Sequence, residues 1–184
     1  MTRPPRNWLW VGRLAEDKGI FTALRALQLI KSSFVGELHI YGKGDEIYVS
    51  QLKKFAADHS LPVIWASATP AEMPAVYRAH DALLFTSEWE EPFALTPLEA
   101  MACGLPVIGT MTGGSRELFR HGQNAITYDA GAATQLAERI LLLQSSDHLR
   151  ETIAEAGHRE VHERFAMAPI VDQVETYLRE SIPL

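Results

Sequence analysis

The sequence predicts an α/β fold: a Rossmann-like, doubly wound parallel sheet of about six strands with helices on both faces. Short apolar runs alternate with amphipathic stretches along the whole 184-residue chain, the βαβα rhythm of such sheets. The apolar runs are continuous rather than alternating, as strands covered on both faces require. No repeat, low-complexity tract or linker divides the chain, so residues 1–184 are expected to form one domain.

Taken in order, the strand runs are residues 8–11, 38–41, 63–65, 82–86, 107–110 and 125–128. Between the first two, Phe21, Leu24, Leu27 and Ile30 recur at helical spacing. Ile47, Leu52, Phe55 and Ala56 predict a second helix, and residues 73–79, 98–103 and 136–143 three more. Thr96, Pro97 and Glu99 read as N-cap, N1 and N3 of a helix, a capping box with proline where its missing N–H does no harm. Helices over 149–164 and 169–179 close the chain. In the last, Ile170, Val171, Val174, Tyr177 and Leu178 form an apolar stripe, part of which is expected to be under-packed and to mediate self-association or crystal contacts.

Composition narrows the function. Seventeen Lys and Arg against 23 Asp and Glu give a net charge of −6, which argues against a broad nucleic-acid footprint. The single cysteine, Cys103, excludes an internal disulfide framework. No uncharged run reaches membrane-spanning length without Gly or Pro, and the start of the sequence has no apolar signal region. A cytoplasmic protein that does not bind nucleic acid is the expectation.

In doubly wound sheets ligands bind beyond the carboxyl ends of the strands, so the residues after each strand run carry the functional reading. After the first come Gly12, Arg13, Lys18 and Gly19 at a strand-to-helix turn. Arg13 and Lys18 can complete an anion site for a diphosphate, or Arg13 can simply pair with Glu16 or Asp17. The turn has neither the GxGxxG nor the Walker pattern. After the second run, Gly42 and Gly44 let a ligand approach the backbone or form a tight exit turn. After the fourth, Glu91 and Glu99 bracket seven residues across a loop and a helix start. Both carboxylates can face one crevice and accept from sugar hydroxyls, although the capping box alone also accounts for Glu99. His158 and His162 lack zincin order and read as a solvated helix face, and Cys103 as a buried small hydrophobe. Trp8, Trp10 and Trp65 read as core.

Several of these segments, in order, resemble glycosyltransferase family 4 (glycosyl transferases group 1). They are Val11-Gly12-Arg13-Leu14 with Lys18-Gly19, the Glu91-x7-Glu99 pair, the run from Glu99 through Gly104-Leu105-Pro106 to Ile108, and Thr110 to Gly114 with Glu117. The resemblance covers nearly the whole chain and corresponds to the C-terminal, donor-binding half of the two-domain GT-B architecture. It implies an N-terminal acceptor domain, supplied in cis or in trans, and transfer of a sugar from a UDP-, GDP- or ADP-type donor with retention. By resemblance, Arg13 and Lys18 contact the donor diphosphate, Glu99 the ribose and Glu91 the transferred sugar. Gly12, Gly42, Gly44, Phe93, Ala94 and Leu95 belong to the same donor site.

The resemblance implies no cofactor and no metal. The absence of any Asp-x-Asp agrees with a metal-independent mechanism. Two positions depart from the family. Ala94 stands where glycine is common, with a Cβ that disfavours positive φ and crowds the sugar. Ser67 stands where glycine is frequent in the nucleobase pocket. Two rivals remain: a non-catalytic or split-enzyme subunit that binds a nucleotide sugar and docks a partner, and a phosphorylase-like or epimerase-like GT-B protein.

Overall fold

The structure, a computed structural model, describes residues 4–181. Six strands, β1 (Asn7–Val11), β2 (Glu37–Tyr41), β3 (Val63–Ala66), β4 (Ala82–Phe85), β5 (Val107–Thr110) and β6 (Ile126–Tyr128), form one sheet. Every pairing is parallel and the order is β3-β2-β1-β4-β5-β6. The order therefore reverses between β1 and β4, where doubly wound sheets open a crevice at the carboxyl ends of the strands.

Among the described residues, eight α-helices connect and cover the strands: α1 (Ile20–Leu29), α2 (Glu46–Asp58), α3 (Met73–Arg78), α4 (Leu95–Ala102), α5 (Ser115–Leu118), α6 (Ala133–Ser145), α7 (Asp147–Arg164) and α8 (Met167–Ser181). Alternate strand residues point to opposite faces, and the core divides accordingly. Trp8, Trp10, Ile40, Leu84 and Ile108 pack with Leu24 and Leu27 of α1 and Ile140 of α6. Leu9, Leu83, Phe85 and Val107 pack on the other face with Tyr77 of α3, Met101 of α4 and Val161 of α7. Leu24, Leu27 and Ile140 are wholly buried, each such side chain contributing about 1.5–3 kcal/mol.

Four sequence expectations need correction. The strand β3 is not covered on both faces: it lies at one edge of the sheet, and Ile64 is exposed. The helix α4 starts at Leu95 with Ala94 as N-cap and no side-chain cap. Thr96, Pro97 and Glu99 therefore stand at N2, N3 and N5. Any of the first turn's N–H groups lacks an intrahelical partner, so proline fits N3 as well as N1, and the capping box does not form. Cys103 is only partly buried. Trp65 is likewise partly buried, with the Lys53 ammonium 5.9 Å from its ring centroid. At the end of the chain, α8 has no buried residue, and Ile170, Val171, Val174, Tyr177 and Leu178 are all exposed.

Candidate functional site

Two loops meet where the strand order reverses. The loop after β1 runs through a 3-10 turn at Glu16–Lys18 into α1, and the loop after β4 runs from Thr86 to Ala94. Thr86 joins them: its buried Oγ1 accepts from Trp10 Nε1 at 2.9 Å and donates to the Lys18 carbonyl at 2.7 Å. The Glu88 amide adds a bond to the Asp17 carbonyl at 2.9 Å. Gly19 makes this approach possible. Its φ is +62°, and a Cβ there would lie 2.0 Å from the Thr86 carbonyl oxygen.

The walls enclose a cleft of about 160 Å³ lined by Gly12, Arg13, Lys18, Glu91, Ala94 and Leu95, among others. Lys18 Nζ lies 2.9 Å from Glu91 Oε1 and 3.5 Å from Asp17 Oδ2. The Ser87 hydroxyl donates to the same Glu91 oxygen at 2.6 Å. Arg13 Nη2 lies 3.1 Å from Asp17 Oδ2 while its side chain remains two-thirds exposed. The pairing of Arg13 with Asp17 is thus formed, and it leaves the guanidinium at the cleft mouth rather than drawing it away.

The loop that carries Glu91 is braced from β5 and α5. Thr110 Oγ1 donates to the Ser87 carbonyl at 2.6 Å. Glu90 accepts from both Arg116 guanidinium nitrogens at 2.7 Å and from the Gly113 amide at 2.6 Å. Those bonds hold the Glu90 carboxyl below the ordinary carboxylate range. The Gly114 amide bonds the Glu91 carbonyl at 2.7 Å. Ala94 adopts φ −91°, ψ 95°, so its Cβ meets no positive-φ conflict.

The family profile described as Glycosyl transferases group 1 matches residues 4–160. The chain belongs to that family. It is 38% identical over 168 residues, 90% of its own length, to N-acetyl-alpha-D-glucosaminyl L-malate synthase of Bacillus anthracis, and covers 43% of that protein. Among solved structures, HepE of Anabaena in complex with UDP-glucose superposes with a TM-score of 0.87 at 27% identity, over 95% of this chain and 48% of that one. A C-terminal domain of a group 1 protein, LpcC of Francisella tularensis, shares the fold with a TM-score of 0.80 at 24% identity, over 90% of this chain and 89% of that one. The chain spans about half the length of the curated relatives it matches. The fold is that of a GT-B C-terminal domain.

Within this glycosyltransferase domain, Gly12, Arg13, Lys18, Glu91, Ala94 and Leu95 come together in the cleft. Gly42 lines a neighbouring hollow with Tyr41, Lys43, Ser67 and Met73, and Gly44 another with Tyr48. Their need for glycine is steric, since a Cβ would lie 2.0 Å from the carbonyl oxygen of Gly12 at one and of Leu14 at the other. The Phe93 ring is not part of the cleft lining; it packs on Phe165 with ring centroids 5.6 Å apart. Glu99 lies outside that lining as well, on the exposed face of α4, and accepts from the buried Tyr77 hydroxyl at 2.7 Å. Burial, chiefly, and the Glu99 carboxylate hold the Tyr77 phenol far above its ordinary value.

Sequence reasoning named Asp17 as a partner of Arg13 but missed Thr86, Ser87 and Tyr77. For Ser87 a signal existed: it follows a strand and stands four residues before Glu91. The two histidines set aside above stack on each other, with ring centroids 4.1 Å apart on the exposed face of α7. Burial, foremost, pushes the Cys103 thiol up, away from thiolate chemistry.

Proposed function

We propose that this chain is the donor-binding domain of a retaining, metal-independent glycosyltransferase that takes a nucleotide-diphosphate sugar and passes its sugar to an acceptor held by a second domain, in cis or in trans. The observation that carries this reading is the convergence of Arg13, Lys18 and Glu91 on one cleft at the point where the strand order reverses. As the bond between sugar and phosphate loosens, positive charge grows at the anomeric carbon and negative charge on the departing diphosphate. Fixed cations at that diphosphate stabilise the charge that develops. Lys18 is fixed by its neighbours and only about a fifth exposed, so its ammonium is pre-positioned for this role. Arg13, at the mouth, closes over the outer phosphate.

In the free cleft Glu91 is the partner of Lys18. A diphosphate takes over that ammonium and releases a Glu91 oxygen for the hydroxyls of the sugar, with Ser87 still holding the carboxylate in place. Glu99 accepts from the ribose hydroxyls. The uncovered stripe of α8 is the surface through which copies of the chain associate. The test is thermal unfolding of the chain with UDP-, GDP- and ADP-sugars, since a ligand that binds only the folded state stabilises it. At least one donor should raise the midpoint, and Lys18→Ala should abolish the rise. A midpoint unmoved by every nucleotide sugar and nucleoside diphosphate would overturn the reading.

A further inference from the structure

Glu99 performs no helix-capping role, yet one of its oxygens is engaged. Tyr77, on α3, is 1% exposed and packs in the core face formed by Leu9, Leu83 and Met101. Its hydroxyl donates to Glu99 Oε2 at 2.7 Å, across twenty-two positions of sequence. We propose that Tyr77 is a positioning residue for the donor site, holding one oxygen of Glu99 so that the other is presented to the ribose of a nucleoside diphosphate. The proposal rests on Glu99 as the ribose ligand.

A glutamate on an exposed helix turn samples several rotamers, and fixing it on binding costs affinity. A phenol locked in the core offers one donor at a fixed point in space. The O–H···O⁻ bond it makes is of the short, charge-assisted kind. Burial keeps the phenol protonated, so at physiological pH it can only donate to this carboxylate. The effect is to select a rotamer before the ligand arrives. Tyr77 itself, being buried, does not touch the nucleotide.

Tyr77→Phe preserves the ring in the core and removes the hydroxyl, with its bond to Glu99 and its hydrogen bond with Thr96. Calorimetric titration of the 184-residue chain with UDP and with 2′,3′-dideoxy-UDP separates the outcomes. Tyr77→Phe should weaken UDP by about five- to tenfold, the scale of one charge-assisted hydrogen bond acting indirectly. The dideoxy nucleotide should change by less than about twofold, because the bonds at stake are those to the ribose hydroxyls. Glu99→Gln should weaken UDP as well, and adding Tyr77→Phe to it should cost nothing further, the signature of two residues acting through one contact.

A Tyr77→Phe chain that binds both nucleotides like the parent, or loses both equally, would overturn the positioning role while leaving Glu99 as ligand. A Glu99→Gln chain that binds UDP like the parent overturns the ribose reading, and this proposal with it. Thermal unfolding of each variant, with midpoints near that of the parent, shows that binding and not folding is being read.

Discussion

Lys18 and Arg13 differ in how firmly each is held, and the difference sets what each substitution should do. Lys18 Nζ is fixed between Glu91 and Asp17, whereas Arg13 touches only Asp17 and is mostly in solvent. The Arg13 pair is exposed and contributes little, and without Lys18 the Glu91 carboxylate keeps the Ser87 hydroxyl as a partner, so neither substitution should unfold the domain. Lys18→Ala should weaken a nucleoside diphosphate by about 1.5–3 kcal/mol, the range for a lost hydrogen bond to a charged group. Arg13→Ala should cost less, and uridine without phosphate should bind both variants like the parent. Equal losses for uridine and UDP in calorimetry would instead assign the cations to the fold. The charges themselves were legible, because the strand-to-helix turn that bears them announces itself in sequence. Tyr77 was not: a tyrosine in a short helix acquires meaning only when a segment remote in sequence arrives beside it.

Elements show the same division between local and tertiary causes. The strand runs and most helices follow from periodicity, α2 among them, and the structure adds its Asp45 cap, whose carboxylate accepts from the Ile47 and Tyr48 amides. The start of α4 did not follow, because proline restricts the first turn without specifying which of its positions it takes. Nor does a local pattern reveal that β3 is an edge. A pairing between elements gives a further test. His80, in the turn after α3, is buried with its Nε2 2.9 Å from His39 Nδ1 on β2 and its Nδ1 2.6 Å from the Val76 carbonyl. Glu37, 3.8 Å from His39, the Tyr41 ring and Asp81 surround the pair. Burial, foremost, together with His39, lowers the His80 pKa from 6.5, against the opposing pull of Val76 and Asp81. The folded state then binds fewer protons than the unfolded one below that value, so stability is full above pH 6.5 and declines as pH falls through the window beneath it. Thermal midpoints measured from pH 8 to 5 should fall, and His80→Gln should flatten the decline over that window. An unchanged slope in the variant would remove His80 as its source.

At the scale of the molecule, the strand order places the loop after β1 and the loop after β4 side by side, and this adjacency assembles the cleft from residues more than seventy positions apart. Such adjacency follows from parallel crossovers of one hand, which is why a fold class read from sequence also brings the loops after the first and fourth strands together. The fold alone does not specify chemistry, so the proposed function rests on the cations and the carboxylate that line the cleft. All of the cleft's walls described here come from one domain, while the chain spans about half the length of its curated relatives. Transfer requires an acceptor hydroxyl brought within bonding distance of the anomeric carbon, and most of the rate advantage of such positioning disappears when the acceptor is free in solution. The purified 184-residue chain should therefore bind UDP or another nucleoside diphosphate, yet turn over a matching nucleotide sugar onto added acceptor glycosides no faster than a Lys18→Ala control. Isothermal titration reads the first and mass spectrometry of glycosylated product the second. Sustained, Lys18-dependent product formation by this chain alone would show that this domain suffices, and the proposed need for a second domain would fall.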